Sequence, residues 1–278
     1  MGLNMAILLL IVGCSAGASF ARDSSGAGSR ELTVFAAVSL TNAFPEVAEA
    51  FRREHPGVSV NFNFAGSQRL RTQLEFGARG DIFASADQHQ IDLAGDSGLL
   101  LAESEVFATN RLVVIVPKEY TGQQDTRPGR VKTLADLANE GTKLALASPA
   151  VPAGAYARTA IQHLGEAMEA STPDYAGRTM ANVVSFESNV RGVVGKVALN
   201  EVDAGIVYWS DANTRYAMDK VTVIPIPEAS NVVANYPIAV LEGSTEPDLA
   251  QRFIQFLLSP QGQSILEKHG FGPSRENS

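Results

Sequence analysis

The sequence has little cysteine and little positive charge. Its 278 residues include one cysteine, and 22 Lys and Arg are outnumbered by 30 Asp and Glu, which gives a formal net charge of −8 at pH 7. A single cysteine excludes an internal disulfide and a metal site built from several thiolates. The acidic balance disfavours nucleic-acid binding, which usually calls for a basic face. We therefore expect no nucleic-acid partner.

Motifs of nucleotide binding and of nucleophilic catalysis are also missing. The sequence contains no Walker loop, no G-x-G-x-x-G fingerprint and no G-x-S-x-G elbow. Its four histidines are dispersed, so none has a neighbour at metal-ligand spacing. The stretch GDSG at 95–98 resembles half of a serine-protease motif and keeps open a secreted serine hydrolase that uses Ser97 or Ser39. The stronger expectation is a protein that is not an enzyme and needs no cofactor.

The N-terminus resembles a targeting segment. The apolar run at 5–12 has the length of a signal-peptide core and is far shorter than the ~20 residues that span a bilayer. We predict a signal peptide over residues 1–21 and a flexible linker over residues 22–30. Cys14 lies in IVGC, which resembles a lipobox, so lipid anchoring through Cys14 and its removal with the signal peptide both stay open. In either case we expect a periplasmic protein.

Strands and helices alternate from residue 32 onward. The apolar run at 32–37 has the length of a buried strand, and the segment 41–55 has apolar residues at helical spacing. The same alternation continues to the end of the chain. It predicts an α/β protein with mostly parallel sheets that are flanked by helices on both faces.

Two strong strands divide the predicted elements. The strands at 111–117 and 236–241 bracket a middle segment that has βα units of its own. We therefore predict two lobes, each with its own sheet, and a hinge formed by these two strands. One lobe comprises residues 31–109 plus 238–278, and the other comprises residues 112–234.

Small and hydroxyl residues stand at four places where a strand or loop leads into a helix. These places are 39–41, 66–67, 152–154 and 188–190. The first N–H groups of a helix have no partner within it and carry about half a positive charge. In α/β folds, ligands bind beyond the carboxyl ends of the strands, where helix starts gather. Jointly the four starts predict a donor-lined cleft for an oxyanion, although each residue alone is also explained as a helix cap.

Seven segments together carry a resemblance to a known family. They are TVFAAVSLTNAF (33–44), FAGSQRL (64–70), DIFASAD (81–87), VPAGAYA (151–157), NVRGVVGKVALNE (189–201), AGIVYWSDA (204–212) and HGFG (269–272). In this order they resemble the periplasmic molybdate-binding proteins of bacterial ABC importers, which are type II periplasmic binding proteins. The resemblance implies a two-lobed fold with a hinged cleft that closes on a tetrahedral oxyanion.

The same resemblance implies which residues bind the anion. From one lobe, Ser39 and Ser67 would each supply a hydroxyl and an N–H. From the other lobe, Ala153 and Val190 would supply backbone N–H groups, and Tyr208 would supply a phenol O–H. Molybdenum would be held only as molybdate, through these same residues.

The donor set agrees with the chemistry of molybdate. Molybdate is a fully deprotonated dianion at neutral pH, so its site should offer donors only, as the five residues do. Phosphate keeps a proton near pH 7, because its second pKa is about 6–7, and a selective site would add a carboxylate acceptor. The nearby Asp81 and Asp87 are interpreted as turn and cap residues. Tungstate shares the charge, shape and nearly the size of molybdate, and the smaller sulfate is the alternative ligand.

Two positions depart from the family pattern. Gly66 stands where another small or hydroxyl residue is expected, and Trp209 follows Tyr208 where a smaller residue is familiar, so Trp209 bears on the cleft rim. Arg191 is interpreted either as a surface ion pair or as a cation that steers anions. The predicted function is an extracytoplasmic solute-binding protein, a monomer, that captures molybdate and delivers it to an ABC transporter permease.

Overall fold

A computed structural model describes residues 30–118 and 130–274. The predicted signal peptide, Cys14 and the linker lie outside these residues, except for Arg30, which begins the first strand. Within the described ranges no helix is long and apolar enough to cross a membrane. The same residues contain no group of three or more His, Cys, Asp or Glu side chains that could hold a metal ion.

The strands form one mixed sheet. Its order is β2-β1-β3-β9-β4-β7-β5-β6, and β8 also pairs with β4. The strands are β1 (Arg30–Ala37), β2 (Val58–Ala65), β3 (Ile82–Ala84), β4 (Glu105–Pro117), β5 (Leu144–Ala147), β6 (Val183–Glu187), β7 (Ala204–Tyr208), β8 (Val221–Pro225) and β9 (Val233–Val240).

The long strand β4 lies in the middle of the sheet and pairs with strands on both sides of it. Its residues 105–111 pair with β9, and its residues 112–117 pair with β7 and β8. We call β1, β2, β3, β9 and residues 105–111 of β4 the first sheet region. The second sheet region comprises β5 to β8 and residues 112–117 of β4. The expected division into two lobes, residues 31–109 plus 238–278 and residues 112–234, stays a prediction.

The predicted α/β class is confirmed, and the sheet is mixed rather than mostly parallel. Parallel pairs join β1 to β2 and β3, and join β5 to β6 and β7. Antiparallel pairs join β4 and β9 to each other and to their further neighbours. The difference arises because these two strands are the connections between the sheet regions and run against the βα units on both sides.

The helices cover the sheet. Pro45 lies in the first turn of α1, where its missing N–H costs nothing, and Arg52 and Arg53 end the helix where cations favour the dipole. The helices are α1 (Phe44–Glu54), α2 (Ser67–Glu75), α3 (Gln88–Asp96), α4 (Pro152–Met168), α5 (Tyr175–Ala181), α6 (Val190–Ala198), α7 (Trp209–Ala212), α8 (Arg215–Lys220), α9 (Pro247–Leu258) and α10 (Pro260–Lys268), with 3₁₀ turns at Val38–Thr41, Leu134–Ala138 and Glu228–Ser230.

Buried apolar side chains of both sheet regions form one continuous cluster. Phe44 of α1 contacts Phe62, Phe107 and Phe253 at ring-centroid distances of 5.6–6.2 Å. Tilted and edge-on aromatic contacts of this kind stabilise a core beyond the area that they bury. The rings tie α1, β2, β4 and α9 together.

Candidate oxyanion-binding site

The five predicted ligand residues line one cavity. The cavity has an accessible volume of about 10 Å³. This is about the space that one water molecule needs, and it is far below the range of about 300–1,000 Å³ that is typical of pockets for larger organic ligands. The lining comes from both sheet regions and consists of Ala37, Val38, Ser39, Ala65, Gly66, Ser67, Ala86, Val151, Pro152, Ala153, Val190 and Tyr208.

Three α-helices begin at this cavity, as the sequence predicts. α2 begins at Ser67, α4 has Ala153 in its first turn, and α6 begins at Val190. The N–H groups of a first helical turn have no partner within the helix, so they are free to bind an anion. The fourth expected start is different, because Ser39 lies in a 3₁₀ turn of four residues and α1 begins only at Phe44.

The Ser39 hydroxyl does not cap a helix. No side-chain cap accompanies its 3₁₀ turn, and Ser39 Oγ lies 3.0 Å from Tyr236 Oη instead. Ser39 is 2 % exposed and Tyr236 is fully buried, so the two hydroxyls form a hydrogen bond shielded from water. The interpretation of Ser39 as a plain cap is therefore wrong.

The Ser67 hydroxyl also bonds to a residue outside its own helix, in the segment that follows β3. The Ala86 N–H donates to Ser67 Oγ at 3.0 Å, and the N-cap position of α2 is Gly66. A hydroxyl that accepts from a backbone N–H keeps its own proton to donate. Because Ser67 lines the cavity, that proton is available to an acceptor inside it.

Tyr208 brings a hydroxyl without a partner to the cavity wall. Its side chain is 1 % exposed, and its Oη has no hydrogen-bond partner. A buried polar group left unpaired costs about 1–3 kcal/mol. Burial also raises the pKa of Tyr208 well above its usual value, so the phenol keeps its proton at neutral pH. The group is a donor that lacks an acceptor, and it is the clearest indication of a ligand.

The cavity is electrically neutral. Within the described parts of the chain, none of the residues that line it carries a charge. The two nearby carboxylates have structural partners, as expected: Asp87 Oδ1 accepts from the Gln90 N–H at 2.9 Å and caps α3, and Asp81 Oδ2 accepts from the Thr33 N–H at 2.8 Å. The site can therefore donate hydrogen bonds to an anion but offers it no carboxylate acceptor.

The relatives of the chain show its family. Residues 32–272 match the family described as bacterial extracellular solute-binding protein. The chain belongs to this family. It is 38% identical over 267 residues to the molybdate-binding protein ModA of Mycobacterium tuberculosis, which covers 95% of this chain and 94% of the relative. The expected resemblance is thereby confirmed, and solute-binding proteins of this family are not enzymes.

Two solved structures place the fold in the same group. The substrate-binding domain of a putative molybdenum ABC transporter from Clostridium difficile aligns with a TM-score of 0.64 and 29% identity, covering 89% of this chain and all of that one. The sulfate-binding protein SubI of Mycobacterium tuberculosis aligns with a TM-score of 0.76 at 18% identity, over 88% and 87% of the two chains. The second likeness concerns the fold alone.

The serine expected for the alternative hydrolase lies in a structural position. Ser97 ends α3, is exposed, and donates to Glu75 Oε1 at 3.2 Å. The four-residue GDSG stretch is thus a helix end followed by a turn, in which Gly98 has a positive φ of 68°. It has the features of a helix C-terminus rather than of a nucleophile.

Arg191 forms an ion pair, but the pair is not on the surface. Its Nε lies 2.6 Å from Oδ1 of Asp211, whose side chain is fully buried. Its Nη2 donates to Asn42 Oδ1 at 2.9 Å and lies 3.4 Å from the Ser39 carbonyl oxygen. Arg191 therefore links the start of α6 to the 3₁₀ turn of the other sheet region. On the other side, Gln68 Nε2 donates to the Ser188 carbonyl at 3.2 Å.

Trp209 does not line the cavity, contrary to the expectation that it bears on the cleft rim. It begins α7 directly after Tyr208 and faces a separate pocket with Arg111, Gly270 and Phe271. The Arg111 guanidinium lies 5.1 Å from the centre of the Trp209 ring. The large Trp209 side chain therefore lies beside β4 and β9, outside the anion cavity.

The backbone conformation at Gly66 does not require a glycine. Its φ of −62° and ψ of 139° are open to any residue, so no conformation that favours glycine is needed here. A Cβ at this position would lie 2.6 Å from Gln68 Oε1, at the end of a flexible side chain. The glycine leaves room for the Gln68 side chain, which donates to the Ser188 carbonyl.

Proposed function

We propose that this solute-binding protein captures molybdate as a dianion between its two sheet regions. The proposal rests on one observation above all: Tyr208 lines the cavity, and its buried hydroxyl has no acceptor within the protein. Ser39 and Ser67 line the same cavity, and the first turns of α4 and α6 contribute Ala153 and Val190. An oxyanion would satisfy all of these donors at once.

The donor-only character favours molybdate and tungstate over phosphate. A fully deprotonated dianion has acceptor oxygens only, whereas a protonated phosphate oxygen needs an acceptor from the protein. The chain is 38% identical to a molybdate-binding protein in an alignment that covers 95% of its length, and this similarity supports molybdate as the ligand. Sulfate is the second candidate, because a sulfate-binding protein has a similar fold, but that similarity carries no information on the ligand.

The two sheet regions are proposed to act as two lobes. Residues 31–109 plus 238–278 would move against residues 112–234, with β4 and β9 as the hinge. The course of β4 supports this division, because its pairing changes from β9 to β7 and β8 at residues 111 and 112. Hinge closure around a ligand is a common motion of binding proteins.

Delivery to an ABC transporter permease completes the proposed function. The protein would act as a periplasmic monomer outside the cytoplasmic membrane. The family's description as extracellular and the likeness to the binding domain of a putative molybdenum ABC transporter support this location and this partner.

Calorimetric titration of residues 22–278 tests the ligand. Molybdate, tungstate, sulfate and phosphate are titrated in turn against the same preparation. We expect one-to-one binding of molybdate and tungstate, and no measurable heat with phosphate. Binding of sulfate or phosphate in place of molybdate would contradict molybdate as the ligand, whereas the assignment of the fold would stand. Absence of binding with all four anions would reject the site.

A further inference from the structure

Tyr236 does not border the anion cavity itself but contacts Ser39, which does. It lies on β9, is fully buried, and does not line the cavity. Its ring is held edge-on by Phe107, Tyr208 and Phe271, with centroid distances of 6.2, 5.7 and 5.3 Å. With the ring held on these sides, the phenol oxygen is fixed in place, 3.0 Å from Ser39 Oγ.

The side-chain amide of Asn110 favours the Tyr236 hydroxyl as the donor to Ser39. The Arg111 N–H donates to Asn110 Oδ1 at 3.0 Å, so the amide nitrogen must face the other way. Asn110 Nδ2 lies 2.8 Å from Ser210 Oγ and 3.5 Å from Tyr236 Oη. The second contact is long and acts mainly by electrostatics, yet it directs a positive N–H edge at the phenol oxygen. The phenol proton is thereby favoured on the opposite side, toward Ser39.

We propose that Tyr236 is a positioning residue that holds the Ser39 hydroxyl as a hydrogen-bond donor to the bound anion. If Tyr236 donates to Ser39 Oγ, the Ser39 proton is left for the cavity. If the bond ran the other way, a lone pair of Ser39 would face the anion and repel it. This inference rests on the proposed oxyanion-binding function.

The Ser67 hydroxyl also accepts a hydrogen bond from behind the cavity, but from a backbone N–H instead of a phenol. Its Oγ accepts from the Ala86 N–H at 3.0 Å, and a backbone N–H can only donate. Both cavity serines are thus backed by a donor, one from the main chain and one from a phenol that burial keeps protonated by raising its pKa. The relay from Asn110 through Tyr236 gives Ser39 the same role as Ser67, that of a donor to the cavity.

A double-mutant cycle separates positioning from general damage. The molybdate dissociation constant is measured by calorimetry for wild type, Tyr236→Phe, Ser39→Ala and the double variant. Tyr236→Phe keeps the packed ring and removes only the hydroxyl, so we expect a loss of about 3- to 10-fold in affinity. In the Ser39→Ala background the same change should have no further effect, because the hydroxyl that it positions is gone.

Tyr175→Phe is the matched control. Tyr175 is equally buried and donates to the Leu134 carbonyl at 2.8 Å, and neither residue lines the cavity. It should leave the dissociation constant unchanged. If Tyr236→Phe does not fold, as judged by circular dichroism, Asn110→Ala enters the cycle in its place, since it removes the donor behind the phenol.

The outcomes distinguish this inference from the function on which it rests. A wild type that binds molybdate, together with a Tyr236→Phe variant that binds equally well, overturns the inference alone. An equal loss in the wild-type and Ser39→Ala backgrounds also overturns it, because the effect would not pass through Ser39. A wild type that binds no molybdate overturns the proposed function and the inference with it.

Discussion

Ser67 Oγ accepts a hydrogen bond from the Ala86 N–H at 3.0 Å, which joins the start of α2 to the segment that follows β3. The contact has two consequences. It gives the Ala86 N–H a partner at a place where both residues are buried, and it turns the Ser67 proton toward the cavity. The same atom therefore contributes to folding and to the proposed binding of the anion.

Replacing Ser67 by alanine should affect both properties. Loss of a hydrogen bond to a charged ligand costs about 1.5–3 kcal/mol, which corresponds to about 10- to 150-fold weaker molybdate binding. The unpaired Ala86 N–H should in addition lower the free energy of unfolding by about 1–3 kcal/mol. Calorimetric titration and urea denaturation measure the two effects.

The exposed Ser97 provides the control for this substitution. Ser97→Ala removes a hydroxyl that contacts only the partly exposed Glu75, so neither binding nor stability should change beyond ~0.5 kcal/mol. Unchanged binding in both Ser67→Ala and Ser39→Ala would contradict the assignment of the site.

Tyr208→Phe should weaken binding without weakening the ligand-free protein. The Tyr208 hydroxyl has no partner to lose, so its removal relieves an unpaired buried group and should leave the unfolding free energy unchanged or raise it by up to about 3 kcal/mol. Molybdate affinity should fall about 10- to 150-fold, because one donor to the dianion is gone. Thermal melting without ligand and calorimetry with ligand give the two values.

Tyr175→Phe should have the opposite pattern. Its hydroxyl donates to the Leu134 carbonyl, so the variant should lose about 0.5–1.5 kcal/mol of stability and keep its affinity. If Tyr208→Phe also lost stability in the absence of ligand, the Tyr208 hydroxyl would have a partner within the protein and would not be reserved for an anion.

Local sequence patterns were sufficient for the helix starts at the cavity. The start of α6 follows from Asn189, whose Oδ1 accepts from the Gly192 N–H at 3.2 Å as a helix cap. Pro152 opens α4 at a position where proline is favoured. Signals of this kind depend on a few neighbouring residues, so a single sequence reveals them, and the family resemblance then selected Ser67, Ala153 and Val190 among them.

The sequence did not predict the residues behind the cavity, because their roles depend on strand register. Tyr236 is placed by the pairing of β9 with β4, in which it lies opposite Ala108, and Asn110 lies opposite Ala234 on the same ladder. A tyrosine in an apolar strand is typical of any core, so the pattern at 236–241 gave no reason to select it. Arg191 was similarly ambiguous, since its partner Asp211 is buried only by the tertiary fold.

Several helices were also missed for a physical reason. The short helices α5, α7 and α8 have four to seven residues, too few to display a helical period. The segment 133–140 has the length of a short α-helix but forms a 3₁₀ turn over Leu134–Ala138, which Thr133 and Asp136 close as a capping box. Such elements are stabilised by their neighbours and by capping contacts rather than by an apolar stripe of their own.

Gly154→Ala should displace the start of α4. A Cβ at Gly154 would lie 2.1 Å from the Ser148 carbonyl oxygen and 2.4 Å from that of Ala147, and both are backbone atoms that cannot rotate away. Overpacking of this kind costs about 1–3 kcal/mol of stability. Because Ala153 moves with the helix, we expect weaker molybdate binding as well, measured by calorimetry on the folded variant.

Gly195→Ala is the matched control in another helix of the site. A Cβ at Gly195 meets nothing within 4 Å, so this variant should gain about 0.5–1 kcal/mol of stability from the better helix former. Its molybdate affinity should equal that of wild type. A Gly154→Ala variant that is as stable and binds as well as Gly195→Ala would show that α4 has room to shift without moving its first turn.

Arg191→Gln should leave a buried carboxylate without its cation. Breaking a buried ion pair by removing one partner costs about 3–5 kcal/mol, and the lower end applies because the Arg191 side chain is 25% exposed. The Arg191→Gln, Asp211→Asn double variant should recover much of this loss, since no charge remains buried. Urea denaturation of the three proteins measures the differences in unfolding free energy.

The loss in Arg191→Gln should depend on pH. Burial raises the pKa of Asp211 to about 6 despite the opposing effect of Arg191, so removal of Arg191 raises this pKa further. Its pKa in the unfolded chain is about 3.9, so between the two values the folded state binds more protons and its stability increases as the pH falls. The destabilisation relative to wild type should therefore be smaller at about pH 5 than at about pH 7.5. A loss that is equal at both pH values, or a double variant with the same pH dependence, would mean that the Asp211 carboxylate does not titrate in this range and that Arg191 acts through Asn42 and Ser39 alone.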